Sequence, residues 1–168
     1  MSTRVFVPVT AGDLRVLAAE GALPAGTWSA HTVTDALRAS WPDGDDEEWS
    51  YAALLTAAQE SVERMADHPE EAGAPRRRVL AAEVAEVVAS PDPDAAETGV
   101  GVSGPLPLSS VDALHVDEED AEPVVGAAVR VLTDDRDAED AETVAAALEA
   151  CLEHDLGWYA TQELDQLL

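Results

Sequence analysis

Four histidines, His31, His68, His115 and His154, are the side chains best suited to moving a proton near neutral pH. They lie too far apart in the sequence to make a local metal motif. His31 and His115 fall inside predicted strands, where a hydrogen-bonded structural role and an acid–base role are both open. His154 falls near a predicted helix end and could complement the helix dipole. Acidic residues cluster twice, at Asp43, Asp45, Asp46 and Glu47, and at Asp117, Glu118, Glu119 and Asp120. Neither cluster has the spacing of an EF-hand loop, which needs alternating ligands, a central glycine and a distant glutamate. The second follows a predicted strand, so Asp117, Glu118 and Asp120 are the metal-ligand candidates; helix capping and plain solvation are the competing account. Cys151, the single cysteine, allows no disulfide within the chain and no thiolate zinc site. It sits on the apolar stripe of a predicted helix and reads as a small buried hydrophobe. The run RRR (76–78) suits salt bridges to nearby carboxylates, or an edge-strand guard against aggregation, better than nucleic acid.

Several chemistries are excluded or unsupported. With no lysine anywhere in the chain, Schiff-base and pyridoxal-phosphate chemistry cannot occur, and no phosphate loop ending in Gly-Lys is possible. GVGVSG (99–104) lacks the dinucleotide-binding spacing, and there is no G-x-S-x-G elbow. No cofactor is called for.

The elements that would position these residues follow from periodicity. RVFVPVT (4–10) reads as a strand with both faces covered. Thr10 with Asp13 makes a capping box for a short helix that Gly21 stops. Residues 22–26 read as a Pro/Gly turn, 28–33 as a second strand, and Thr34 as the cap of a helical piece reaching residue 40. Asp45 or Asp46 caps a longer helix over 47–66, with Trp49, Ala52, Ala53, Ala57 and Val62 on one side. A third strand covers 76–84, and 90–99 reads as a flexible loop. Strands at 99–106 and 111–116, joined by PLPLSS, are expected to pair antiparallel. A helix from the DEED run to residue 132, a turn at TDDRD (133–137) and a last helix over 138–154 follow. The tail, 156–168, concentrates Leu156, Trp158, Tyr159, Leu164, Leu167 and Leu168 where chain ends are usually polar, so it should pack on the body or on a partner.

The whole is expected to be one α+β domain over residues 1–168, a mixed sheet of about five strands covered by about four helices. The 168 residues carry 35 acidic and 9 basic side chains, a net charge of −26. That charge opposes direct binding to nucleic acid or anionic lipid. It permits a basic protein partner, or an acidic mimic of nucleic acid, though mimicry wants a regularity these scattered carboxylates lack. No run of apolar residues is long enough to span a membrane, and no secretory signal stands at the start, so the expected compartment is the cytoplasm. Lysine, isoleucine and asparagine are all absent and every basic residue is arginine, the mark of a GC-rich genome.

RVFVP (4–8), GALP (21–24), VTDALR (33–38), DGDDEEWSYAAL, HVDEEDAEP (115–123) and WYATQEL (158–164) together resemble a family of small acidic actinobacterial proteins of unknown function. The resemblance spans nearly the whole chain and implies a source and a compartment, but no reaction. The function expected is therefore a non-enzymatic interaction or regulatory module, with Trp158, Tyr159, Gln162 and Glu163 as candidate binding residues. Burial of both rings would remove that argument. The alternative is a small enzyme using carboxylate and histidine chemistry, with or without a divalent cation. A concave pocket gathering His115, an acidic residue and Arg4 would favour the enzyme over the binding module.

Overall fold

The computed structural model describes residues 1–134 and 141–168. The turn expected at 133–137 and the first residues of the last helix fall largely on 135–140, outside the described residues.

The chain starts with β1 (Thr3–Pro8), whose alternate side chains feed two cores: Val5 and Val7 face one, Phe6 the other. Thr10 closes the expected capping box with Asp13 and starts α1 (Ala11–Glu20); Gly21, at φ 74, ends it in the left-handed conformation that glycine adopts without strain. Next come β2 (Ala22–His31) and α2 (Asp35–Ser40), the latter capped by Thr34. Asp45 and Glu48 form a second capping box that opens α3 (Asp46–Asp67). Then follow β3 (Arg78–Val84), β4 (Gly99–Pro107), β5 (Val111–Asp117), α4 (Glu122–Asp134), α5 (Ala141–Cys151), β6 (Leu156–Tyr159) and a 3₁₀ segment, Thr161–Leu167.

These strands make one six-stranded sheet in the order β4-β2-β1-β3-β5-β6, with every neighbouring pair antiparallel. The domain is thus α+β and single, as expected. Its sheet is antiparallel rather than mixed, with six strands among the described residues rather than about five. The sixth is LGWY in the tail, which pairs with β5 from Leu156 opposite Asp117 to Tyr159 opposite Leu114. One face of the sheet is packed by α1 and the C-terminal 3₁₀ segment through Leu14, Leu17 and Leu164. The other is packed by α3 through Ala53, Ala57 and Ala58. A third cluster joins α3 to α4 and α5 through Val62, Met65, Val125, Ala128 and Cys151.

Two further expectations are corrected. Strands β4 and β5 do not pair across PLPLSS: β4 bonds to β2 at one edge, and β5 lies between β3 and β6. The residues explain the separation. Pro105 and Pro107 of β4 have no N–H to donate, which suits an edge strand. β5 is apolar on both faces, sending Leu114 and Val116 to one core and Ala113 to the other, so it belongs inside. Residues 22–26 are no turn either. The strand runs through them, and a shift of register between Leu23 and Gly26 absorbs Pro24.

Candidate functional site

Arg77, just before β3, and Asp117, at the end of β5, form a fully buried pair. Arg77 Nε and Nη2 donate to the two carboxylate oxygens at 2.8 and 2.7 Å, and the Arg77 amide donates to Asp117 Oδ2 at 2.8 Å. The Arg77 Nη2 group also donates to the carbonyl of His154, tying the turn after α5 to the sheet. That is the salt-bridge role anticipated for the arginine run; Arg76 plays it as well, bonded to Glu122. Of the three metal-ligand candidates, Asp117 is committed to Arg77, Glu118 accepts the Tyr159 hydroxyl, and Asp120 is exposed in a 3₁₀ turn. Among the described residues no three His, Cys, Asp or Glu side chains are grouped to hold a metal ion. Cys151 is buried; its thiol donates to the Ala147 carbonyl, and burial pushes its pKa up, so it stays protonated at neutral pH.

The four candidate binding residues of the tail do not share a surface. Trp158 and Tyr159 are consecutive in a strand and therefore point to opposite faces. Tyr159 packs on the α1 side of the sheet, where Leu164 is buried. Glu163 turns back to accept the Ala160 amide, and Gln162 is exposed. Trp158 stands apart on the α3 side, 63% exposed, directly opposite His115 in the register.

His115 in turn lines a shallow hollow of about 430 Å³ with Arg4, Phe6, Asp46, Glu47, Tyr51 and Leu54. The geometry follows from the elements. Arg4 and Phe6 alternate on β1, His115 meets the Phe6 ring edge-on at 6.3 Å, and the first turns of α3 supply the carboxylates and Tyr51, which is 52% exposed. Burial, aided by the Arg4 charge, lowers the His115 pKa, so its ring is neutral at pH 7. Arg4 is spent on Glu83 and Asp112, at 3.2 and 3.0 Å. Tyr51 was not singled out by sequence. It falls off the alanine stripe of α3, and an aromatic ring on the polar side of an amphipathic helix was the available signal.

A second cleft, about 420 Å³, opens between α3, β2 and the 90–99 loop. At its base His31, buried, holds Thr98 Oγ1 at 2.8 Å through Nδ1 and Glu60 Oε2 at 2.6 Å through Nε2. A carboxylate only accepts, so Nε2 is the donor toward Glu60. Both ring nitrogens are therefore used in structure. Burial pushes the Glu60 pKa up, yet the hydrogen bonds from His31 and Ser29 and the charges of His31 and Arg64 outweigh it, leaving the carboxyl below its ordinary value. Its neighbour Glu63 goes the other way, raised by burial and by repulsion from Glu60, Asp67 and Asp92 against the bond from Gln59. Sequence reading found His31 but not its partner on α3, because the contact spans 29 residues.

Fold and surface together define a single antiparallel α+β domain with apolar rings at one sheet edge and an acidic exterior. Residues 3–168 match a family of unknown function, DUF6912, and the chain belongs to it. No curated protein and no solved structure matches the chain. Among the described residues no helix is long and apolar enough to cross a membrane.

Proposed function

We propose that this protein is a non-enzymatic interaction module that docks a basic segment of a partner protein over the hollow between Trp158 and the start of α3. The observation that carries the reading is Trp158 itself, an indole 63% exposed on a sheet edge, beside a hollow floored by Phe6, Leu54 and His115. Large exposed aromatics are the residues that anchor interfaces. Asp46 and Glu47 at the rim and a net charge of −26 select a partner that is locally basic, and an arginine or lysine could also stack on the Trp158 face. β6 is the last strand of the sheet among the described residues, and its outer edge offers backbone groups for an added strand.

The test is a titration of arginine- and lysine-bearing peptide libraries with an apolar anchor residue, read by isothermal calorimetry on the full chain. A binder is expected, and Trp158→Ala should weaken it about 30-fold, the loss of roughly 2 kcal/mol typical of an interface hot spot. Unchanged affinity in that variant, or silence from every basic library, would overturn the reading.

The alternative, an enzyme using histidine and carboxylates, draws support from the same hollow, because Arg4, His115, Asp46 and Glu47 all line it. A neutral His115, with no side-chain hydrogen bond among the described residues, is free to accept a proton. Two features weigh for docking. Among the described residues no carboxylate orients His115, as the nucleophile–base–orienter arrangement would have it, and Arg4 is already neutralised by Glu83 and Asp112. Turnover of an ester, amide or phosphoester probe that His115→Gln abolishes would reverse this order.

A further inference from the structure

At the opposite end of β1 from that hollow lies a smaller one of about 210 Å³, between the first turn of α1, the segment leading into β3 and the last residues of the chain. Its lining is unlike the rest of the surface. Only nine arginines serve the whole chain against 35 carboxylates, yet Arg15, Arg76 and Arg78 all border this one hollow. Arg78 is 4% exposed. Its guanidinium is held by the carbonyls of Ala72, Arg76 and Ala74 at 3.2, 2.8 and 3.0 Å, with the Met65 sulfur at 4.0 Å. These groups fix its orientation without cancelling its charge.

Among the described residues no carboxylate lies within 4.0 Å of the Arg78 guanidinium, and its Nε is buried with no partner at all. A buried cation without a counter-ion is costly, and proteins ordinarily pair one. Burial first, then the like charges of Arg76 and Arg15, pull the Arg78 pKa down to about 10, against the more favourable pull of Asp117 and Glu122. It remains charged at pH 7. Arg15, exposed on α1, has no hydrogen bond or ion pair among the described residues, so a second guanidinium at the hollow is uncommitted. Ala11, the first residue of α1, adds the positive end of a helix dipole to the same wall.

We infer that this hollow binds a small oxyanion, the phosphoryl or carboxylate group of a compact ligand, with Arg78 as the buried anchor and Arg15 closing over it. The volume is below that of ordinary drug-sized pockets, which limits the occupant to a small molecule. Gly73, Ala74, Gln166, Leu167 and Leu168 line the remaining wall, whose alanine and leucines would accept a short apolar stem. The inference is independent of the docking face, which uses none of these residues.

The test uses the full chain at low ionic strength, with thermal stability and calorimetry read against inorganic phosphate and butyrate. Sodium chloride at matched ionic strength is the essential reference, since salt screens the self-repulsion of a protein of net charge −26 whatever the anion. Arg15→Ala is the diagnostic variant, because the side chain is exposed and unpartnered and its removal should leave the fold intact. Arg38→Ala, equal in charge but remote from the hollow, is the control. Phosphate or butyrate should stabilise the protein beyond chloride, and Arg15→Ala should raise the concentration needed at least tenfold while Arg38→Ala behaves as the parent. Stabilisation by phosphate alone assigns a phosphoryl ligand, and by butyrate alone a carboxylate one. If neither anion exceeds chloride, or if the two arginine variants respond alike, the site is overturned.

Discussion

The Arg77–Asp117 pair is fully buried and bonded on both sides, so the loss of either partner should be felt strongly. Its side chains are 2% and 0% exposed, and it joins β3, β5 and the turn after α5 at a single point. Removing one partner strands a charge in the interior, at a cost of about 3–5 kcal/mol, against a whole-domain stability of roughly 5–15 kcal/mol. Asp117→Ala is expected to lose that much in urea denaturation, whereas Arg77→Met with Asp117→Leu should recover most of it. A double variant as unstable as the single one would show that the His154 contact, not the charge, is what matters. His115 gives a pH signature of its own. Its pKa in the fold lies below the ordinary 6.5, so below that pH the unfolded chain takes up a proton that the folded chain refuses. The neutral ring's contribution is complete above pH 6.5 and declines as the pH falls toward the folded value. The stability of the parent relative to His115→Gln should therefore shrink between pH 7 and pH 5; a constant difference would mean that burial does not hold the ring neutral.

At the scale of elements, what a few neighbouring residues determine was readable and what distant partners determine was not. Thr10 with Asp13, Gly21, Thr34 and Asp45 each act where their chemistry placed them, because a cap is a bond between residues three or four apart. Asp45 accepts the Glu48 amide at 2.9 Å and Glu48 returns the contact to the Asp45 amide, so Asp45→Ala should cost about 1 kcal/mol by thermal denaturation. Asp43→Ala, outside the box, should cost almost nothing, and equal losses would deny the box its role. Strand pairing obeys no such local rule. PLPLSS looks like a hairpin turn, but the choice between β4 and β3 as a neighbour for β5 was made by apolar surface on both faces of β5, which only the assembled cores reveal. β6 was missed for a related reason: four residues containing a glycine carry too little period-two pattern to announce a strand. The candidate site suffered the same limit. Trp158 was found, but its cross-strand partner His115 comes from β5 and the hollow that His115 lines draws Tyr51 from α3, and Tyr159 was grouped with Trp158 although a strand turns successive side chains apart.

For the molecule as a whole, the sign of its response to salt is set by competition between self-repulsion and ion pairs. A folded chain of 168 residues has a radius of gyration of about 15 Å. At about 0.01 M salt the screening length is roughly 30 Å, so every charge feels all the others; at about 0.15 M it is roughly 8 Å and only neighbours interact. The net −26 is then a repulsion that unfolding relieves by spreading the charge along an expanded chain. Against it stand exposed pairs such as Arg4–Glu83 and Arg38–Asp35, which salt weakens, but such pairs contribute only about 0–1 kcal/mol each. Arg77–Asp117 is buried and nearly blind to salt. Repulsion among 35 carboxylates should outweigh those few exposed bridges, so sodium chloride from about 0.01 to about 0.3 M should raise Tm. A gain of about 2 kcal/mol corresponds to a rise of roughly 4–8 °C for a chain of this size. Scanning calorimetry across that range checks the sign directly. A falling Tm would mean that the acidic surface is organised into favourable networks, and that a basic partner would have to compete with arginines already in place.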